Sequence, residues 1–196
     1  KDKGIKPTPT IGGVGLVTDY KKIITMDLKN INNLILVVGK TEGHIEQSIF
    51  ARNILNEKKG PPPEINLFNE KNNGETILKL INEKLIKSTH DVSLGGIITA
   101  VSKMAIKGKK GFKLIKPKVL TSKFHYYFGE DQGRYIIEIE PNNLPKVQKI
   151  LKENSVHYDE IGIVTKNEVI VDKEPILHID DLTKSNKTWL IDYMSK

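Results

Sequence analysis

"STHDVSLGGIITAVSKMAIKG", residues 88–108, places a polar run, Ser88 to Ser93, against a glycine pair, Gly95-Gly96. An apolar pattern of helical period follows. Ile97, Val101, Met104 and Ala105 fall on one face, so the spacing predicts a helix running to about Lys107. The stretch therefore reads as a strand feeding a helix through glycines. A helix N-terminus gathers unpaired N–H groups and about half a positive charge. Glycines there would let a phosphate approach the backbone, and Ser93 would add a hydroxyl. From spacing alone the same residues read better as a packing corner, with Ser93 as the helix cap and the glycines permitting helix–sheet contact. His90 and Asp91 are neighbours on the strand, so their side chains are expected on opposite faces and not in one acid–base task.

Outward from this junction, "NLILVVG" at 33–39 is a continuous apolar run and predicts a buried central strand. "IGGVGLVTD" at 11–19 predicts a strand with close backbone approach. Helical spacing is expected over residues 45–55 and again over about 74–86, separated by the "KKGPPPEI" breaker. "GRYIIEIEP" predicts a strand with Tyr135, Ile137 and Ile139 on one face and Ile136, Glu138 and Glu140 on the other. Residues 143–153 predict a short helix with Leu144, Val147 and Leu151 inward. "EIGIVTKNEVIVD" predicts a hairpin about Thr165, Lys166 and Asn167. The tail after Ile179 predicts a helix anchored by Leu182, Trp189 and Leu190. Strands and helices mix without strict alternation, which argues for an α+β fold with helices packed on a mixed sheet.

The 196 residues suit one domain, or one domain with a piece of another, and are long enough for a real core. No apolar run approaches the roughly 20 residues that span a bilayer. Cysteine is absent, which removes disulfides and thiolate metal sites and fits a cytoplasmic location. The net charge is +7, but the basic residues are scattered, and only Arg52 and Arg134 are arginines. The Lys107 to Lys110 patch sits at a helix end without interleaved aromatics, so nucleic-acid binding is not expected. The five histidines show no metal-ligand spacing, and no P-loop or nucleophile elbow is present. "FGEDQGRYII", 128–137, is the second polar cluster. Gln132 and Arg134 could meet a polar substrate, or Glu130 or Asp131 could simply pair with Arg134 in a turn.

Together "PTPTIGGVGLV", "EGHIEQSIFARNI", "GPPPEINLFNEKNNGETI", "HDVSLGGIITAVSKMA" and "FGEDQGRYIIEI" resemble, in this order, the C-terminal part of the phosphoribosylformylglycinamidine synthase family. The likeness runs from about Pro7 to at least Val171. The broader superfamily includes aminoimidazole ribonucleotide synthetase, selenophosphate synthetase, hydrogenase maturation and thiamine monophosphate kinase proteins. The resemblance implies a C-terminal-domain fold of the aminoimidazole ribonucleotide synthetase type. Residues 1–20 would be the linker and exit from a preceding ATP-binding domain, and 21–196 the synthetase domain. The start at Lys1 instead of Met is expected of a piece of a longer polypeptide.

The reaction implied for the whole protein is an ATP-dependent C–N ligation in purine biosynthesis. It turns formylglycinamide ribonucleotide, ATP and glutamine-derived ammonia into formylglycinamidine ribonucleotide, ADP and phosphate. ATP and Mg would be bound mainly by domains outside this chain, and no catalytic residue is expected within it. Expected partners are the preceding domains, a glutaminase subunit and a small accessory subunit, with a second copy, as a homodimer, a further candidate. Neither nucleic acid nor membrane is expected. Ser93, Gly95, Gly96, Glu130, Asp131, Gln132 and Arg134 are the nucleotide- or phosphate-binding candidates, with no metal ligand among them. Leu94 and Asp131 depart from the family's usual aspartate and serine, which weakens a ligand role there. The alternatives are a domain of the hydrogenase-maturation or selenophosphate-synthetase type, or a purely structural assembly domain.

Overall fold

The computed structural model describes residues 9–17, 19–118, 122–174 and 177–195. Its organising element is β1 (Leu34–Val38), whose five apolar residues are paired on both sides. It runs antiparallel to β4 (Tyr135–Ile139) and to β5 (Tyr158–Thr165). The other strands are β2 (Ile86–Asp91), β3 (Gly111–Leu114), β6 (Glu168–Val171) and β7 (Leu177–His178). The described residues form one sheet in the order β2-β4-β1-β5-β3-β6-β7. All pairs are antiparallel except β3 with β6.

The alternation of side chains along β1 divides the core into two layers. Ile35 and Val37 join a cluster with α3 (Gly96–Gly108), α4 (Lys123–Phe128) and Ile179 at the start of α6 (Ile179–Met194). Leu36 and Val38 join a second cluster with α2 (Leu67–Asn82) and α5 (Leu144–Glu153). On β4 the same rule sends Ile136 to the first cluster and Ile137 and Ile139 to the second. Helices therefore cover both faces of β1 and β4. Each fully buried Ile or Leu here contributes about 1.5–3 kcal/mol of apolar burial.

Several sequence expectations change. The hairpin about residues 165–167 is not one: β3 lies between β5 and β6, antiparallel to the first and parallel to the second. The turn is legible locally, but the inserted strand comes from 50 residues upstream. Residues 11–17 form no strand; Ile11, Val14 and Leu16 are at least 90% exposed, because no strand among the described residues pairs with them. Residues 1–8, the first part of the expected linker, lie outside the described residues. The helix expected over 45–55 shortens to α1 (Ile49–Asn53), started by Ser48, whose side chain accepts from Ala51 N. The helix expected at 74–86 begins seven residues earlier, at Leu67, capped by Asn66 through Asn69 N, and gives way to β2. In α6, Ile179 is buried and Leu182 packs on the first cluster, whereas Trp189 and Leu190 are over half exposed and join neither cluster of the described residues.

Glu138 is the least expected core residue. It is fully buried, yet its carboxylate is well satisfied. Lys29 N and Asn30 N, Asn33 Nδ2 at 2.7 Å and Ser88 Oγ at 2.7 Å all donate to it. A buried charge persists only with this many donors. It ties the segment before β1 to β4 and β2.

Candidate functional site

The junction at residues 93–96 is as anticipated in outline: β2 ends at Asp91, and α3 begins at Gly96. Val92, Ile97, Val101 and Met104 enter the core. Its cap is not Ser93. Gly95 is the N-cap, with no side-chain cap bond, and Ser93 is exposed. Gly95 and Gly96 both have positive φ, +84° and +70°. A Cβ on Gly96 would lie 2.6 Å from Tyr127 O and 2.7 Å from Gly129 O. Gly96 therefore allows α3 to approach the C-terminal backbone of α4, a helix–helix contact and not the helix–sheet one anticipated, while a Cβ on Gly95 would meet Thr99 of α3 itself.

The N–H groups of both glycines are already in use. Gly96 N–H donates to Ser93 O at 3.0 Å. Gly95 N–H donates to Glu130 Oε1 at 2.8 Å, and the same oxygen accepts from Ile49 N at 2.9 Å. Glu130 thus joins the starts of α1 and α3. Asp131 plays a similar part beside it. Its carboxylate accepts from Glu42 N, Gly43 N and His44 N at 3.2, 2.9 and 2.9 Å.

Arg134 is buried, 1% exposed. Its Nη2 donates to Gly129 O at 2.7 Å, its Nε to Asp131 O and its Nη1 to Thr41 Oγ1. Nη1 lies 3.4 Å from the Asp131 carboxylate. Burial pushes the guanidinium down from its usual value, and Asp131, then Tyr126 and Glu130, oppose that shift. Of the seven candidates, only Ser93 and Gln132 present exposed side chains.

Two cavities meet at Gln132 and Gly133. The larger, about 580 Å³, lies between residues 40–46, the 61–66 loop and Asn69, Glu70 and Asn73 of α2. The smaller, about 270 Å³, is lined by Asp91 to Leu94, Glu130 and Arg134 to Tyr135, and shares Glu70 with its neighbour. The larger is walled by Glu42, Glu46, Glu64, Glu70 and Asp131 against Lys40, which is itself paired with Glu42 at 2.5 Å. Burial first, then the Glu70 and Asp91 carboxylates, push the Tyr135 phenol up. The field at the groove is therefore negative. Among the described residues no cluster of three or more His, Asp or Glu has metal-holding geometry. The groove as built does not suit a nucleotide's phosphates, which its carboxylates repel.

His90 and Asp91 do meet, against expectation. His90 Nδ1 is 3.0 Å from Asp91 Oδ1, because β2 ends there and strict alternation ends with it. His90 Nε2 is buried without a partner.

The chain matches the family described as "AIR synthase related protein, C-terminal domain" over residues 30–173. It belongs to that family. It is 66% identical over 194 residues to the phosphoribosylformylglycinamidine synthase subunit PurL of Pelagibacter ubique, covering 99% of this chain and 27% of the relative. This AIR synthase-related chain thus spans about a quarter of the length of the curated relatives it matches. Thermotoga maritima PurL, solved with FGAR, superposes with a TM-score of 0.69 at 17% identity over 84% of this chain and 30% of that one. The same protein solved with ATP gives 0.64 over 84% and 28%, at 16% identity. A T. maritima PurLQS structure gives 0.64 over the same shares, at 18% identity. At such identities these likenesses establish the fold, an α+β AIR synthase-related domain with helices on a mixed sheet. No helix among the described residues is long and apolar enough to cross a membrane.

Proposed function

We propose that this chain is the C-terminal synthetase domain, residues 21–196, of a phosphoribosylformylglycinamidine synthase, with residues 1–20 leading in from a preceding ATP-binding domain. The whole protein converts formylglycinamide ribonucleotide, ATP and glutamine-derived ammonia into formylglycinamidine ribonucleotide, ADP and phosphate. The observation that carries this reading is the 66% identity to a PurL subunit along almost all of the chain. ATP and Mg belong to the other domains, and a glutaminase and a small accessory subunit complete the assembly in the cytoplasm. The PurLQS name of a structural relative supports the last point.

The domain's role is chiefly architectural. Gly96 is packed against backbone, and the Glu130 and Asp131 carboxylates occupy the N–H groups of Glu42, Gly43, His44, Ile49 and Gly95. Any ligand of the groove meets the exposed Ser93 and Gln132 side chains, in contact with the domains that precede this one.

The test is a chimera. The 196-residue chain replaces the corresponding segment of the P. ubique subunit, and ammonia-dependent, formylglycinamide-ribonucleotide-dependent ADP release is measured. Activity near that of the unaltered subunit is expected, and an inactive but folded chimera overturns the reading. The purified chain alone is expected to release no substrate-dependent ADP.

A further inference from the structure

The geometry points to an oxyanion hole, built by the 42–44 turn and Arg134, that the protein fills with its own Asp131 carboxylate. Three consecutive backbone N–H groups, of Glu42, Gly43 and His44, converge on the two Asp131 oxygens at 2.9–3.2 Å. Gly43, with φ +82°, turns the chain so that the three point the same way. Successive N–H groups arranged in this manner form an anion-binding nest. Arg134 Nη1 stands 3.4 Å from the same carboxylate. Its other donors are fixed on Gly129 O, Asp131 O and Thr41, so the guanidinium cannot swing away.

Asp131 is 8% exposed and Arg134 1%, so the contact lies almost outside solvent screening. The hole opens on the larger cavity, which Asp131 helps to line. Its ligand class is a small oxyanion of carboxylate size. While Asp131 occupies it, the hole is closed to any external anion, and the neighbouring groove keeps its negative field. This inference concerns the local donor set and does not depend on the proposed ligase activity.

Formate is the probe. In the 196-residue chain, Asp131→Ala removes the internal anion, leaving the nest empty and Arg134 without its carboxylate counter-charge. Its thermal midpoint is expected to fall by roughly 10 °C, the scale for one broken buried ion pair in a chain of this size. Sodium formate is expected to restore at least half of that loss, while sodium chloride at the same ionic strength does not. If the variant is unfolded in chloride, recovery of its native circular dichroism in formate is the equivalent readout. Asp131→Asn keeps the hole filled and is expected to gain nothing from formate, as is the unaltered chain. The proposal is overturned if formate fails to stabilise or refold Asp131→Ala. It is equally overturned if formate stabilises the unaltered chain or Asp131→Asn by as much.

Discussion

At Gly96 two constraints coincide: a φ of +70°, and backbone carbonyls within 2.7 Å of where a Cβ would sit. Gly96→Ala is therefore expected to cost about 2–4 kcal/mol, from left-handed strain plus a clash that only movement of α4 relieves. Gly12→Ala is the contrast, since nothing lies within 4 Å of its added methyl and its φ is not positive. It is expected to leave the urea midpoint of the 196-residue chain unchanged, and paired urea titrations check both. The sequence showed a glycine pair at a strand–helix junction but not which use it serves. That depended on the end of α4, over thirty residues downstream. Glu130 was similarly ambiguous. By sequence it was a ligand candidate or a partner for Arg134, and only the folded chain brings Gly95 N and Ile49 N to the same oxygen.

Among the elements, α4 carries the clearest pH signature. Burial first, then Asp159, push the Tyr126 phenol well above its ordinary value. Burial first, then Asp172, do the same to Tyr127. Both phenols donate to those carboxylates, at 3.1 and 3.0 Å. The folded state therefore keeps both protons above pH 10, where the unfolded chain loses them. Their stabilisation is complete below about pH 10 and falls as pH rises beyond it, by about 1.4 kcal/mol per pH unit for each phenol. Tyr126→Phe should flatten that alkaline slope by about half while lowering stability near neutrality through the lost Asp159 contact. Urea unfolding from pH 8 to 11.5 is the measurement.

The second half of α6 offers a prediction of the opposite kind. Trp189, Ile191, Tyr193 and Met194 are each more than half exposed, and the buried anchor is Ile179 in the first turn. Ending the chain after residue 187 should therefore shift the thermal midpoint by no more than about 2 °C, because little burial is lost.

Taken whole, the molecule leaves apolar side chains in water at both ends of the described chain: Ile11, Val14 and Leu16 at one, the outer turns of α6 at the other. Exposure on this scale marks a surface made for contact. The isolated chain is expected to self-associate as concentration rises, and sedimentation velocity from 5 to 500 µM checks it. A sedimentation coefficient that stays at the monomer value throughout that range refutes it.

What the sequence determined by itself was the local order. Apolar periodicity marked β1, α3, β4 and α5, because each buries a stripe whose spacing is written in consecutive residues. The string of motifs was enough to identify the family. Only the tertiary structure decided that β3 separates β5 from β6, that residues 11–17 find no partner strand, and that Glu138 is a core residue. It also decided that Asp131, whose pairing with Arg134 three residues on was one of the readings the sequence offered, accepts from the N–H groups of the distant 42–44 turn as well. Each of these depends on which distant segment lies alongside. Pairing and burial of charge are set by neighbours up to 109 residues away in the chain, and no local pattern encodes them.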